Sequence, residues 1–425
     1  MAVTRNQATA HRCRLVHITR MRFRKVGLGA TALQKLALLF ATLLVGGCSV
    51  FEDKDTQGTF AWVRTYRGQY QDAASAVECT SDGGYIIAGR ATYGAGESDL
   101  LLIRTDQEGN EMWTRTYGGP RDECGYGVQQ TSDGGFIVVG STGSYGAGGS
   151  DIYLVRTDAN GDTVWTRTYG GLGLDCGTHV MQASDGGFVL AGSKPSDSMG
   201  YDAFVMKTDA SGACLWECGL PFSQFCSLRP RYDGYLVAGA WETSTGECFA
   251  WADIDSFGGL DSGWWYARPS ATCIPSSVQQ TPDGGFEFLA SGVFNTSRGV
   301  VDSDLEFGRM TAAGELLWAK TRGTLKSEFA LAASRAVNGD LVIAGGTADY
   351  YEGYSTWRYP SALFVLRVDS CGSDINSTTY DMGSQLVVED RPVARFAPDG
   401  GCVFVGNASG SQESDGGIFL ARVNP

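Results

Sequence analysis

The chain has 425 residues, with 33 basic against 47 acidic side chains and a formal charge of −14. Eight of the basic residues lie within residues 1 to 50, which contain no Asp or Glu, so the remainder carries 25 basic against 47 acidic residues, or about −22. This excess disfavours nucleic acid and anionic lipid surfaces as partners. Abundant Gly (59), few Pro (11) and 11% aromatic residues favour many short strands with tight turns.

The N-terminal segment has the pattern of an export signal. Its basic residues precede an apolar run, Leu36 to Val45, that is shorter than the roughly 20 residues needed to span a bilayer. The run ends in Val45-Gly46-Gly47-Cys48, which resembles the lipobox of bacterial lipoproteins, whose cysteine sulfur receives diacylglycerol. We predict a lipoprotein signal peptide over residues 1–47, with Met21 as an alternative start, and lipid attachment at Cys48.

The residues after the predicted lipid site indicate where the protein resides. Residues 48–59 comprise the lipidated cysteine and a short acidic tether, Ser49 to Thr59. In enteric bacteria an Asp after the lipidated cysteine retains a lipoprotein in the inner membrane, and here that residue is Ser49. The resemblance therefore implies a lipid-anchored protein of the bacterial outer membrane, facing the periplasm or the cell surface.

A structural repeat begins after the tether. Trp62, Trp113, Trp165 and Trp216 are spaced by 51, 52 and 51 residues, and a constant period near fifty predicts a propeller or solenoid. Each copy holds four short strand signals, which in the second copy read YGVQQT, FIVVGST, DIYLVRT and DTVWTRTY. Four antiparallel strands in meander order make one propeller blade.

Two turn signals divide each copy into hairpins. The Asp133-Gly134 pair predicts a type I′ turn between the first two strands, because that turn needs positive φ at both central residues. The segment from Thr157 to Gly161 predicts a type I turn closed by a left-handed glycine. A calcium loop at Asp158 to Asp162 is the weaker interpretation, because its glycine stands too early for the loop order and neighbouring copies lose ligands.

The number of blades follows from the first turn signal. It recurs seven times, at Asp82, Asp133, Asp185, Asp233, Asp283, Asn338 and Asp399. The predicted propeller region starts with a lone outer strand, Phe60 to Tyr66, and ends after three strands of a blade. We therefore predict an all-β fold over residues 60–425, a seven-bladed β-propeller of four-stranded blades closed by the N-terminal strand.

The order T-D-x-x-G-x-x-x-W, at Thr105 to Trp113, Thr157 to Trp165 and Thr208 to Trp216, resembles the tryptophan-docking repeat of quinoprotein-like propellers and of bacterial cell-surface propellers. Quinoprotein dehydrogenases hold pyrroloquinoline quinone between a Trp and a vicinal disulfide, and calcium beside it. This chain has no adjacent Cys-Cys pair, so we predict no cofactor and no metal. The resemblance extends to a non-catalytic relative, the propeller lipoprotein of the outer-membrane assembly machinery.

The cysteines and histidines offer little chemistry. Ten cysteines remain after Cys13 and Cys48, and Cys124 and Cys176, at equivalent places in neighbouring repeats, are the best candidates for a disulfide. The mature chain has one histidine, His179, inside a predicted inner strand, and no spacing resembles a zinc site.

Two groups of residues are candidates for a functional site. Asp72, Asp122 and Asp175 recur where each outer strand returns to the next blade, near the mouth of the central channel; they either cap those turns or form a paired-carboxylate site. The loop of blade six is rich in aromatics, which either form a recognition surface or fold over the side of blade six; its candidate residues are Tyr350, Tyr351, Tyr354, Trp357, Arg358 and Tyr359.

These patterns predict a non-enzymatic, envelope-anchored propeller that binds a protein or a glycan. The alternative is an envelope carbohydrate-active enzyme of the glycoside hydrolase type that uses the channel-mouth carboxylates. A third interpretation is a purely structural spacer. A fold shared with enzymes, lectins and scaffolds does not decide among them.

Overall fold

A computed structural model describes residues 55–424, with gaps within that range. The segments outside the description are 1–54, 67–71, 94–96, 197–199, 221, 223, 232, 244–245, 267–270, 296–300, 313, 324–326, 337, 349–359, 383–386, 389–391, 410–416 and 425. The described residues form strands and turns and contain no helix, so none of them forms a helix able to cross a bilayer.

Two short strands precede the first blade, β1 (Asp55–Gly58) and β2 (Trp62–Tyr66). Blades one to three follow as β3 (Ala73–Cys79), β4 (Tyr85–Tyr93), β5 (Glu97–Thr105) and β6 (Glu111–Tyr117); β7 (Glu123–Gln130), β8 (Phe136–Thr142), β9 (Asp151–Thr157) and β10 (Thr163–Tyr169); β11 (Cys176–Gln182), β12 (Phe188–Ser196), β13 (Gly200–Thr208) and β14 (Cys214–Leu220).

Blades four to seven continue in the same order. They comprise β15 (Gln224–Arg231), β16 (Gly234–Thr243), β17 (Gly246–Asp255) and β18 (Leu260–Tyr266); β19 (Ala271–Gln280), β20 (Phe286–Asn295), β21 (Val301–Met310) and β22 (Leu316–Arg322); β23 (Ser327–Arg335), β24 (Leu341–Ala348), β25 (Pro360–Val368) and β26 (Asp374–Asp381); β27 (Val387–Val388), β28 (Val393–Phe396), β29 (Cys402–Ser409) and β30 (Gly417–Val423).

The strands form seven antiparallel sheets, which confirms the predicted seven-bladed propeller. In blade seven, β2 pairs antiparallel with β30, so the N-terminal strand supplies the outer strand of the last blade as predicted. Blade six gains a fifth strand, because β1 pairs in parallel with β26, Asp55 opposite Ser377 and Gly58 opposite Tyr380. The last residues of the predicted tether are therefore part of the propeller's edge.

The core lies between the blades. The middle strands β8 and β9 are buried on both faces, as expected for a sheet covered by two neighbours. One apolar cluster joins Ile86, Leu102, Val138 and Val155, which lie on blades one and two. Similar clusters join other neighbouring blades, and one of them joins blade seven to blade one at the closure of the ring.

Among the described residues, five tryptophans also dock against a glycine of the next blade: Trp62, Trp113, Trp165, Trp216 and Trp318; blade six has Asn376 at this position. Trp113 of β6 lies edge-on to Phe136 of blade two, 5.7 Å between ring centroids, and contacts Gly161 in that blade's second hairpin. The hydroxyl of Tyr117 donates to the Gly161 carbonyl at 2.6 Å. At the ring closure Trp62 contacts Gly109 in the same way, and Tyr66 donates to the Gly109 carbonyl at 2.7 Å.

The first hairpin turn differs from the prediction. The Gly134 amide donates to the Thr131 carbonyl at 2.9 Å, so Ser132 and Asp133 are the central residues and only the glycine after them has positive φ, 86°. This is a three-residue loop built on a type I turn, not type I′. The Asp133 side chain, which pairs with the buried guanidinium of Arg156 on β9 and accepts from Thr131, occupies the second central position. The second hairpin has the predicted type I form, with Gly161 at φ 82°.

We predict that Gly109→Ala destabilises the propeller more than Gly134→Ala does. Both glycines have positive φ, which costs an alanine about 1–2 kcal/mol. A Cβ at Gly134 would meet nothing within 4 Å, whereas at Gly109 it would lie 2.7 Å from the Trp62 ring. We therefore expect the free energy of unfolding in urea to fall by at least about 1 kcal/mol more for Gly109→Ala. Equal losses would contradict tryptophan docking at the ring closure.

Candidate functional site

The propeller has two faces of different construction. The hairpin face carries the two hairpin turns of each blade, such as Thr131 to Gly135 and Asp158 to Asp162. The connection face carries the loops between second and third strands and the links between blades, such as residues 143–150 and 170–175. The predicted carboxylates Asp72, Asp122 and Asp175 all lie in links between blades, on the connection face.

Strand register shows which carboxylates are equivalent. Ala73 and Cys176 occupy equivalent positions, each two residues before the bulge of its inner strand. Asp72 and Asp175 are the residues immediately before them. In blade two that position is Cys124, so the equivalent carboxylate is Glu123 and not Asp122. Glu123 is not among the residues predicted from the sequence, although alignment of the repeats on Cys124 and Cys176 places it opposite Asp175.

The three predicted aspartates accept hydrogen bonds from nearby backbone amides. Asp72 accepts from the Thr92 amide at 3.2 Å, and Asp175 from the Gly171 amide at 2.9 Å. Asp122 accepts from the amide and the hydroxyl of Ser98, at 3.0 and 3.1 Å. These contacts favour the turn-capping interpretation of the carboxylates.

Glu123 is the most enclosed of these carboxylates, with an exposed fraction of 0%. One oxygen accepts from the Thr142 hydroxyl at 2.6 Å and from the Ser144 amide at 3.0 Å. The other accepts from the Gly119 amide at 2.8 Å. Glu123 therefore joins the link between blades one and two to the second-to-third-strand loop of blade two.

Buried carboxylates meet in pairs across blade boundaries. A Cβ placed on Gly118 would lie 1.9 Å from an Asp99 oxygen and 2.6 Å from a Glu123 oxygen, so those two oxygens are no farther apart than the sum of these distances, 4.5 Å. A Cβ on Gly170 would likewise lie 2.4 Å from an Asp151 oxygen and 2.7 Å from an Asp175 oxygen. The bare glycines leave room for these pairs.

The first pair is electrostatically unfavourable when fully ionised. Desolvation, and then the neighbouring Glu123 carboxylate, raise the pKa of Asp99 above its ordinary value. Two close carboxyls with one raised pKa are a pattern that glycoside hydrolases use. Here, however, Glu123 is fully buried, and Asp151 and Asp175 are only 2% and 3% exposed. A polysaccharide therefore has no access to one carboxyl of the first pair or to either of the second.

The remaining candidate groups are two cysteines and a histidine, whose contacts are with neighbouring residues of their own strands. Cys124 and Cys176 are free thiols, so the predicted disulfide is wrong. Each sulfur instead donates to the carbonyl of the next residue at 3.8 Å, and burial raises the pKa of Cys176 to about 12. His179 is half-buried, with Nδ1 3.1 Å from the Thr178 hydroxyl. Within the described residues no group of three or more His, Cys, Asp or Glu could hold a metal ion.

Two of the predicted sites lie outside the described residues. These are Cys48 and the aromatic loop of blade six, that is Tyr350, Tyr351, Tyr354, Trp357, Arg358 and Tyr359.

Comparison with known proteins gives information on the fold and little else. No family model matches the chain. A stretch of 141 residues is 30% identical to the regulatory protein FlaEY of Caulobacter vibrioides, but the match covers 28% of this chain and 15% of that protein. This chain therefore spans a small part of its relative's length.

Solved structures confirm the propeller class. The polysaccharide lyase Uly1 superimposes with a TM-score of 0.51 and 9% identity over 96% of this chain and 97% of its own. Drosophila Semaphorin 2a superimposes with a TM-score of 0.50 and 8% identity over 87% of this chain and 76% of its own. At such low identities the likeness concerns the fold alone.

We predict that Asp99→Asn stabilises the protein at neutral pH. Because the folded-state pKa of Asp99 is raised, its ionisation costs stability as the pH rises from the unfolded pKa through the folded one. The amide removes that cost, so the midpoint of urea unfolding should rise at pH 7 and show no gain at pH 3.

Asp151→Asn is the matched control, at the equivalent position of the next blade. Asp151 accepts from the amides of Ala147 and Gly148 at 2.9 and 3.0 Å, so this change should lower stability by about 1 kcal/mol. Destabilisation by Asp99→Asn at pH 7 would contradict the account of the first pair.

Proposed function

We propose that this protein is an exported, lipid-anchored propeller that binds a protein or a glycan of the bacterial envelope through its connection face. The lipobox ending in Cys48 supports the anchor, and Ser49 after it supports an outer-membrane location. The seven-bladed fold supports a ligand surface on one face of the ring, because loops there can vary without disturbing the blades.

One observation carries the preference for binding over catalysis. The carboxylates that could act in pairs at the connection face are enclosed by backbone, and their oxygens accept amide and hydroxyl hydrogen bonds. Such bonds hold the loops in one conformation. A preformed loop surface loses little conformational entropy on binding, which favours recognition.

The described part of the connection face also exposes apolar side chains that a partner could cover. Leu172 is 91% exposed, and Tyr93 and Tyr145 are about half exposed. The Tyr145 hydroxyl donates to the Gly118 carbonyl at 2.7 Å, which fixes its ring beside the link between blades one and two. In our proposal the aromatic loop from Tyr350 to Tyr359 extends this surface on blade six, because exposed aromatics with an Arg are typical of recognition surfaces.

The carbohydrate-active enzyme remains the second candidate, since one observation favours it. Asp99 is half-buried, has a raised pKa and lies beside Glu123, which are properties of a general acid. In this alternative Asp99 donates the proton to the leaving oxygen. The mechanism also requires a second carboxylate that a sugar can reach.

The test is binding of the chain from Ser49 onward to an array of envelope glycans and to solubilised envelope proteins, with mass spectrometry of each bound glycan. We expect binding without turnover. Trp357→Ala should weaken it at least about tenfold, as loss of an aromatic anchor does, while Asp99→Asn leaves it unchanged.

The other outcomes separate the alternatives. Cleavage of a bound glycan that Asp99→Asn abolishes would establish the enzyme. Binding that Trp357→Ala leaves intact would exclude the blade-six loop as its site, and absence of any binding would favour the structural spacer.

A further inference from the structure

The N-terminal edge strand gives the chain a direction as it enters the propeller. Outer strands run from the hairpin face to the connection face, since each follows the second hairpin of its blade. Because β1 is parallel to β26, it runs the same way, and Asp55 is its end nearer the hairpin face. Asp55, where the described chain begins, therefore lies at the hairpin-face end of the edge strand of blade six.

The tether is no longer than one strand of the propeller. Fully extended, the chain from Cys48 to Asp55 spans at most about 25 Å. The eight residues of β26 alone span about 26 Å. A lipid attached at Cys48 would therefore hold the domain against the bilayer, with some part of its surface close to the headgroups.

A second, independent observation is a repeated apolar position at the hairpin face; the connection face also exposes apolar side chains, such as Leu172 and Leu174, but not at one equivalent position of successive blades. In five blades the residue before the docked tryptophan position is apolar and 44 to 59% exposed: Met112, Val164, Leu215, Leu317 and Ile375. Each is the second residue of its outer strand, so these side chains form a rim around the hairpin face. Phe257, in the second hairpin of blade four, is 86% exposed on the same face.

We infer that the hairpin face, with this apolar rim, rests on the lipid bilayer to which the protein is anchored. The inference rests on the proposed lipid attachment at Cys48. The side chains of the rim are spaced one to a blade, as suits shallow contact with the interfacial region of a bilayer rather than a protein interface with a packed apolar centre. The connection face then points away from the membrane, toward its ligand.

The charge of the hairpin face specifies the lipid. Exposed carboxylates such as Asp162 and Asp133 lie in its turns. Asp133 is paired with Arg156, but the chain outside residues 1–50 has a large acidic excess, about −22, which disfavours anionic headgroups, so the surface fits a zwitterionic leaflet. Phosphatidylcholine vesicles are therefore the probe.

The experiment places a fluorescent amino acid in the acylated full-length chain, either in place of Phe257 or in place of Leu172. Both side chains are exposed, so neither change disturbs the core. The protein is reconstituted in phosphatidylcholine vesicles with and without a lipid that carries a spin label at headgroup depth. We expect the spin label to reduce fluorescence at position 257 at least about twofold and to leave position 172 unchanged.

The outcomes distinguish the orientation from the anchor. The mass of the N-terminal peptide is measured first, and a Cys48 without lipid overturns the anchoring and this inference with it. An acylated chain quenched at position 172, or at neither position, overturns the orientation and leaves the proposed anchor standing. Blade four is separated from blade six by blade five, so quenching at position 257 also excludes contact through the edge of blade six alone.

Discussion

The propeller depends on the docking of tryptophans from the outer strands of five blades against a glycine of the next blade. Trp62, Trp113 and Trp165 contact Gly109, Gly161 and Gly212, each of which has positive φ and no side chain in the way. The motif D-x-x-G-x-x-x-W carries both halves of this joint, because its glycine receives one tryptophan and its own tryptophan docks on the following blade. Repeats of this kind dock each blade on the next one along the chain. The N-terminal strand pairs with β30 in the last blade and brings Trp62 to Gly109 of blade one, which closes the ring.

Much of this architecture could be predicted because it depends on features of short stretches of sequence. Turn residues, continuous apolar runs and the tryptophan spacing identify strands, hairpins and the number of blades. The predicted turn type at Asp133-Gly134 was wrong because Ser132 and Asp133 are the central residues and Gly134 follows them. In that position Asp133 pairs with Arg156, a contact 23 residues away in the sequence. The strand β1 could not be predicted either, since DTQG has no apolar pattern and its place is set by backbone pairing with β26.

The candidate site was harder to predict for a related reason. Asp99 and Glu123 belong to different blades and meet only when those blades pack around Gly118. Spacing alone placed Asp122 in the repeat, whereas the register of β7 with β8 places Glu123 there. Proximity across a blade boundary and burial beneath loops are properties of the folded ring. Of the two interpretations that the sequence left open, they favour turn capping over a paired-carboxylate site, and they make these residues a support for the connection face, on which the proposed ligand surface rests.

Carboxyl footprinting tests that interpretation most directly. The native protein is treated with a carbodiimide and an amine, and the modified residues are measured by mass spectrometry. The account predicts that Glu123 and Asp175 react at least about tenfold more slowly than the exposed Asp162 and become reactive only in denaturant. Modification of Glu123 or Asp175 at the rate of Asp162 in the folded protein would show that solvent and substrate reach the pairs, and would contradict their structural role.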